Sequence, residues 1–143
     1  MAGIGGSIVA IGRHQGRIDG ELLALEVRGM MTAADVRSLQ AIVGERLSTQ
    51  GRCFIIADLK AMTGIDAEGR RSMAQWSKDH ADPVSGAALY GAGFATRALI
   101  NLTLSAIKLI GHQQIEISFV RDEAEARAWV AGQRGQHMGE ATR

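Results

Sequence analysis

Two aspartates bracket the segment of this chain whose residue types come nearest to a chemical site. The apolar run at residues 53–57 is typical of a buried strand and ends at Asp58, while Asp66 lies where a helix N-cap is expected. A metal pair or a phospho-accepting aspartate would need further carboxylates nearby. The earlier strand ends at residues 27–29 without one, and Lys60 occupies the position where aspartate-nucleophile phosphatases carry a second acid. The pattern indicates that Asp58 holds the following loop and Asp66 caps the helix, with an enzyme using both acids as a competing interpretation.

The start of the helix that follows Asp66 is a place where another molecule could bind. The first turn of a helix carries unpaired N–H groups and a partial positive charge, and both favour anions. A hydroxyl or a phosphate presented there could act as a switch. The first residue after the cap is Ala67, which carries no such group. The segment therefore has the architecture of a switch without the switching atom.

This segment resembles the central motif of the STAS family, the SpoIIAA-like domain of sulfate transporters and anti-sigma-factor antagonists. Residues 58–59 match the end of the family's strand, residues 65–66 match the end of its loop, and Gly69 matches its glycine. The phosphorylated serine of the family falls on Ala67. The order and lengths of the predicted elements fit the family from about residue 21 to residue 130.

The resemblance implies a non-enzymatic regulatory module that binds a protein of the serine-kinase or anti-sigma-factor type. Phosphate added at the helix start would break that contact through its bulk and charge. With alanine at the acceptor position the chain would stay in the binding-competent form, unless the switch has moved to Thr63 or Ser72. The resemblance puts the partner-binding surface at Met62, Thr63, Gly64, Asp66, Ala67, Glu68, Arg70 and Arg71.

The predicted helix at residues 94–110 has more apolar surface than one sheet contact requires. Its polar residues follow a single narrow stripe, and it is too short and too charged near its ends to span a bilayer. One interpretation is a helix with neighbours on both flanks. The other is an apolar interface, for a second subunit in a homodimer or for a lipid-like ligand. The candidates for this interface are Phe94, Leu99, Leu102, Ile107 and Ile110.

Composition places the chain among single globular domains and narrows its partners. Hydrophobic residues make up 46% of the 143 residues and charged residues 22%. Because 16 Lys and Arg balance 15 Asp and Glu, there is no basic field for nucleic acid. The single cysteine, Cys53, allows no internal disulfide, and the four histidines show no metal-ligand spacing. We expect no cofactor, no metal and no membrane insertion. The absence of a secretion signal predicts a cytoplasmic protein.

The pattern of elements predicts a single-domain α/β fold of the STAS or SpoIIAA-like type. Strands alternate with helices at intervals typical of parallel βαβ units, which gives a mixed, mostly parallel sheet of about five strands with about four helices. Thr32 and Gly51 are expected to cap the first helix. The first two strands, residues 7–11 and 21–27, could form an antiparallel edge pair. The predicted domain covers residues 7–131, with flexible termini at 1–6 and 132–143.

Overall fold

The computed structural model of the chain describes residues 7–79, 85–111 and 116–141, with the backbone alone described at 76–79, 106–111 and 136–141. The fold is α/β, with ten elements in chain order. They are β1 (Ser7–Ile11), β2 (His14–Asp19), β3 (Leu22–Met31), α1 (Ala33–Gln50), β4 (Phe54–Ile65), α2 (Ala67–Asp79), β5 (Gly86–Tyr90), α3 (Phe94–Gly111), β6 (Ile117–Val120) and α4 (Glu123–Ala141).

The six strands form one mixed sheet whose spatial order is the order of the chain, β1 to β6. β1, β2 and β3 pair antiparallel, and β3, β4, β5 and β6 pair parallel. Each parallel pair is joined by a helix, because a parallel connection needs a long crossover. The three crossover helices pack on one face of the sheet and α4 packs on the other, which gives two apolar cores.

Helix α1 begins and ends where the sequence predicts. The Asp35 N–H donates to the Thr32 hydroxyl, and the Thr32 N–H donates to the Asp35 carboxylate, so the two residues form a capping box. At the other end Gly51 has a φ of 80° and its N–H donates to the Leu47 carbonyl. A left-handed φ favours glycine because it has no Cβ. Val43 is completely buried against the sheet.

Alternation along the central strands divides the two cores. On the side of the crossover helices lie Leu23, Leu25 and Ile55, and on the α4 side lie Phe54 and Ile56. Successive side chains of a strand point to opposite faces, so a strand covered on both faces is apolar throughout. Full burial of one such side chain stabilises the fold by about 1.5–3 kcal/mol. The two cores thus hold β4 firmly at the centre of the sheet.

One prediction was wrong about the N-terminal strands. The glycine-rich link between them contains a strand of its own, β2, so β1 and β3 are separated and the sheet has six strands. The link reverses direction twice, at Gly12 with a φ of 61° and at Gly20 with a φ of 59°. Two reversals leave a stretch between them that is long enough to pair with both neighbours.

The segment after Asp58 also differs from the prediction. In place of a short loop, β4 continues to Ile65 and then passes directly into α2. Strand β3 is equally extended, to Met31, and supplies the pairing partner through two shifts in register. Such shifts bend and twist a strand locally. The motif therefore begins in the middle of a long strand, and its helix starts at the end of that strand.

The remaining predicted boundaries fall close to the observed ones. α3 begins at Phe94 and β5 ends at Tyr90, as the sequence predicts. The predicted boundaries at His80, Val84 and Ile115 lie outside the described residues, as do residues 1–6. α4 is helical as far as Ala141, past residue 132 where the sequence predicts a tail. The flexibility of that tail stays a prediction.

Candidate functional site at the start of helix α2

The junction between β4 and α2 is fixed by hydrogen bonds around Asp66. Its carboxylate Oδ1 accepts a hydrogen bond from the Gly69 N–H at 2.6 Å, which makes Asp66 the N-cap that the sequence predicts. Its own N–H donates to the Met31 carbonyl at 3.0 Å, and its carbonyl accepts from the Arg70 N–H at 3.0 Å. The cap therefore ties the helix start to the end of β3 as well as to β4.

Gly69 is required by how closely the cap approaches the helix. A Cβ built on Gly69 would lie 3.0 Å from the Asp66 Oδ1 atom and 3.0 Å from the Ile65 side chain. A larger residue would push the capping carboxylate away from the N–H group that it accepts from. The Arg70 guanidinium closes the same turn by donating to the Ile65 carbonyl at 2.6 Å. These contacts hold the helix start in one geometry.

The predicted partner-binding residues differ in their exposure to solvent. Thr63, Ala67, Glu68 and Arg71 are exposed to solvent. Asp66 and Arg70 are half-buried and are occupied by the contacts described above, while Met62 and Gly64 are buried. A Cβ on Gly64 would lie 3.5 Å from the Met30 side chain, an ordinary packing contact between β4 and β3. The four exposed residues carry a hydroxyl, a methyl and two opposite charges, and all lie within four positions of Ala67 in the chain.

Asp58 serves the backbone in a similar way, at a different place. Its Oδ1 accepts a hydrogen bond from the Lys60 N–H at 2.9 Å, and it pairs in register with Tyr90 of the neighbouring strand. Burial, together with the carboxylates of Glu123 and Asp58, raises the pKa of Tyr90 to about 12. The phenol therefore stays protonated at neutral pH and offers no base. Asp58 holds backbone, as the sequence predicts, although within a strand.

Among the described residues, no group of three or more His, Cys, Asp or Glu side chains is arranged to hold a metal ion. Cys53 is fully buried, and burial raises the pKa of its thiol to about 11. A thiol with such a pKa is protonated at neutral pH and is a weak nucleophile. None of the helices in the described part of the chain has both the length and the apolar character that crossing a bilayer requires.

A cavity of about 190 Å³ lies inside the core between the sheet and the three crossover helices. Met31, Met62 and Met73 line it, and because unbranched methionine side chains adapt easily, its shape can change. The other lining residues are Leu25, Val27, Val36, Leu39, Gln40, Val43, Ile55, Ala57, Leu59, Ile65, Ala87, Leu89, Ile100, Thr103, Leu104 and Ile117. Its wall therefore includes Ile65 at the end of β4 and Met73 in α2.

The predicted apolar interface on α3 is divided by the fold. Phe94 is 90% exposed and Leu102 is 65% exposed, whereas Leu99 is partly buried and packs against the core. The side chains of Ile107 and Ile110 lie outside the described residues. An apolar flank therefore faces solvent in the first half of α3, and the cavity lies on the opposite side of the same helix.

A buried polar pair connects the start of α1 to the N-terminal hairpin, and sequence reasoning missed it. The His14 Nδ1 atom accepts the Arg28 N–H at 2.8 Å, so Nε2 carries the proton and donates to the Asp35 Oδ2 atom at 3.0 Å. His14 is only 2% exposed. The spacing of Thr32 and Asp35 was a signal for the capping box, but no local pattern links Asp35 to His14.

Asp35 keeps its charge in this buried position. Burial acts to raise the pKa of Asp35, but the hydrogen bonds from Thr32 and His14 outweigh it and bring the pKa below its ordinary value of 3.8. The carboxylate is therefore ionised at neutral pH. It accepts hydrogen bonds from His14 in β2 and from the Thr32 N–H at the start of α1. The His14–Asp35 pair therefore connects the N-terminal hairpin to α1.

Comparisons with known proteins agree with the observed fold. A family model described as SpoIIAA-like matches residues 22–131, and no curated protein gives a significant match. A crystal structure of a DUF3478 family protein from Shewanella loihica PV-4 with a SpoIIAA-like fold matches with a TM-score of 0.55 and 16% identity, covering 88% of this chain and 94% of that one. The anti-sigma factor antagonist SpoIIAA in its unphosphorylated form matches with a TM-score of 0.53 and 12% identity, covering 88% and 97%.

At such identities the two structures support the fold alone. The family match extends from the first residue of β3 into α4 and includes the β4–α2 junction. It confirms the resemblance that the sequence indicates around residues 58–69. The chain belongs to the SpoIIAA-like family.

Proposed function

We propose that this domain is a non-enzymatic regulatory module that binds a protein partner through the start of α2. One observation carries the proposal: Ala67, at the first position of a helix whose cap is held rigidly, is exposed to solvent. The chain satisfies the cap itself and leaves the outer surface of the turn uncovered. A rigid and exposed surface loses little conformational freedom when it binds, which favours association.

The chemistry of the surface suits a protein better than a small ligand. Its exposed members are a hydroxyl at Thr63, a methyl at Ala67, a carboxylate at Glu68 and a guanidinium at Arg71. Non-obligate protein interfaces are about as apolar as the rest of the protein surface, so a mixed polar patch with an arginine is compatible with one. A partner of the serine-kinase or anti-sigma-factor type fits the family, and one of the structures with the same fold is itself an anti-sigma factor antagonist. The proposal agrees with the cytoplasmic location that the sequence predicts.

The absent hydroxyl at Ala67 has a regulatory consequence. A phosphorylated residue at a helix start adds charge and bulk to the surface that the partner would contact. Without an acceptor at this position, we expect the domain to bind its partner constitutively. Incubation with candidate kinases and mass spectrometry of the peptide covering residues 62–73 checks this. A phosphate on Thr63, which is exposed, or on Ser72 would show instead that the switch has moved.

Two matched substitutions test the binding surface. Ala67→Glu adds bulk and charge at the first turn of α2, and Ala34→Glu makes the same change at an exposed position in the first turn of α1. Immobilised wild type and both variants are compared for the proteins that they retain from the host's extract, and retained candidates are then purified and titrated. We expect a partner that binds wild type and Ala34→Glu with equal affinity and does not bind Ala67→Glu. Equal binding to all three would reject this surface.

A non-enzymatic role is supported by the contacts of the two aspartates. Both carboxylates already accept hydrogen bonds from nearby backbone N–H groups. If they were catalytic acids, replacing Asp58 and Asp66 by asparagine would abolish turnover without loss of stability. Because asparagine caps a helix about as well as aspartate, we expect a stable double variant with no activity to lose, and a stability loss of about 1 kcal/mol only when Asp66 is replaced by alanine. An activity that disappears in a fully stable double variant would contradict the proposal.

A second function, binding of a small apolar ligand, is favoured by the cavity inside the core. An engineered protein cavity of about 150 Å³ with an aliphatic lining stays dry and binds benzene. The cavity here measures about 190 Å³, whereas drug-sized ligands occupy pockets of roughly 300–1,000 Å³. A ring or a short alkyl group therefore fits, and a long lipid chain would require the methionines to move.

Benzene is a suitable probe for this second function. We expect it to raise the thermal unfolding temperature of wild type but not that of Ala57→Leu, in which the larger side chain fills the cavity. Native mass spectrometry after gentle purification would also show a bound apolar mass. No bound mass in wild type, together with no thermal shift on addition of benzene, would rule this function out.

A further inference from the structure

Strand β1 forms one edge of the sheet, and among the described residues no strand pairs with its outer side. Its sequence, Ser-Ile-Val-Ala-Ile, contains no charged residue and no proline, and its register with β2 runs without a bulge. Charged residues, proline and β-bulges are features with which native proteins protect an edge strand, and β1 has none of the three. β1 precedes residues 22–131, the region that the family model matches.

The hairpin geometry determines which backbone groups face outward. A two-residue turn joins Ile11 to His14, and such a turn closes on a pair that exchanges hydrogen bonds. Hydrogen-bonded and non-hydrogen-bonded pairs alternate along an antiparallel ladder, so Val9 is also bonded to β2. Ile8 and Ala10 lie at the positions between. Their N–H and C=O groups therefore point away from β2, toward the free edge.

We propose that β1 pairs antiparallel with β1 of a second copy of this chain, across a two-fold axis that passes beside Val9. In that arrangement Ile8 of each copy lies opposite Ala10 of the other. The outward backbone groups of these two residues form about four hydrogen bonds between the copies. The two sheets become one continuous sheet. The contact is isologous, because each copy contributes the same strand.

The side chains of β1 complement themselves in this register. Ile8 and Ala10 lie on the same face of the sheet as α4. In each of the two pairs the large side chain of Ile8 from one copy, which is 62% exposed, lies against the small side chain of Ala10 from the other. On the same face, Arg17 and Gln15 of β2 lie behind Ile8 and Ala10. Arg17 of one copy is therefore in line with Gln15 of the other, and no like charges lie opposite each other across the axis. In this register each large β1 side chain faces a small one on that face, and β1 itself brings no charge to the contact.

Strand pairing is tested by sedimentation equilibrium of the full chain over a wide concentration range. Ala10→Pro removes an outward N–H and leaves the inner ladder intact, since proline is tolerated on the solvent side of an edge strand. We expect wild type to dimerise, with the dissociation constant raised roughly tenfold or more in Ala10→Pro, because two intermolecular hydrogen bonds are lost. Circular dichroism and thermal unfolding establish that the variant is folded.

Ile8→Lys provides a second variant that changes no backbone group and places a charge at the edge. Leu102→Lys is its matched control, because Leu102 is 65% exposed on α3. Ile8→Lys should weaken the dimer while Leu102→Lys leaves it unchanged. A monomer at all concentrations, or a dimer that survives both β1 changes, would overturn the proposal. A dimer lost only in Leu102→Lys would assign self-association to the α3 flank. None of these outcomes depends on the α2 surface.

Discussion

The first turns of α1 and α2 are built from similar parts and have opposite surroundings. At α1, Thr32 and Asp35 cap each other, and Asp35 is bound from the other side by the buried His14. At α2, Asp66 alone caps the helix, and the next residue, Ala67, faces solvent. The first turn is covered by the chain's own hairpin, whereas the second is left open.

This difference separates a structural role at α1 from the proposed binding role at α2, although the two helix starts have similar local chemistry. A helix start always carries unpaired donors, so its presence alone identifies no function. At α1 the residue in the first helical position, Ala33, is buried, and its α2 counterpart is exposed. Exposure combined with a rigid cap is what distinguishes the α2 turn. Substitutions at the two turns should therefore have very different effects on stability and on binding.

The largest effect is expected where the α1 turn is buried. Asp35→Ala removes the acceptor for the Thr32 N–H and for the His14 Nε2–H. The His14 ring cannot rotate toward another acceptor without losing the hydrogen bond that its Nδ1 atom accepts from the Arg28 N–H. Leaving buried donors unpaired should lower the free energy of unfolding by about 3 kcal/mol. Urea denaturation measures this loss. A loss below about 1 kcal/mol would mean that the pair contributes little to stability.

Part of the same contribution should depend on pH. The pKa of Asp35 is lower in the folded protein than its ordinary value of 3.8, so the unfolded chain takes up a proton more readily. This stabilisation is present above pH 3.8 and is lost as the pH falls through the folded-state pKa. The difference in unfolding free energy between wild type and Asp35→Ala should therefore shrink in acid. A difference that stays constant from neutral pH into that range would contradict the assignment.

A smaller effect is expected at the cap of the α2 turn. Asp66→Ala removes the acceptor of one backbone N–H, that of Gly69, whereas Asp35→Ala also leaves the buried His14 without an acceptor. The expected loss is about 1 kcal/mol, the usual value for an N-cap. Chemical denaturation beside Asp35→Ala gives the comparison directly. A loss as large as that at Asp35 would mean that the α2 turn is as integral to the fold as the α1 turn.

The smallest effect on stability is expected at Ala67. The side chain is exposed, and a carboxylate in the first turn interacts favourably with the helix dipole, so Ala67→Glu should change the unfolding free energy by no more than about 0.5 kcal/mol. Thermal unfolding beside Ala34→Glu provides the control. A marked destabilisation of Ala67→Glu alone would indicate that this position is packed, and any loss of binding would then have a structural cause.

Local patterns in the sequence predicted the parts of both turns that depend on neighbouring residues. The caps at Thr32 and Asp66 and the end of α1 at Gly51 follow from residue preferences within a few positions. The match between residues 58–69 and the family motif predicted the fold, and it is also the basis for placing the candidate site. Periodicity along the chain then predicted which central segments alternate between strand and helix.

Contacts between distant segments could not be read in the same way. β2 is short and contains Gly16, so its strand pattern is weak, and it becomes a strand because both neighbours pair with it. The pairing of His14 with Asp35 joins residues that no local rule connects. The extension of β4 to Ile65 depends on the matching extension of β3. Residues from seven elements line the cavity, so no single segment of the sequence predicts it.

Site-specific crosslinking tests the central claim, that the open turn of α2 is where a partner binds. Because Cys53 is buried and its pKa is raised to about 11, Ala67→Cys or Ala34→Cys would introduce the one readily labelled thiol. A maleimide photo-crosslinker attached at each position compares the two helix starts in the host's extract. We predict one protein crosslinked from position 67 and not from position 34, displaced by excess wild type but not by Ala67→Glu. Equal crosslinking from both positions, or none from position 67, would contradict the account.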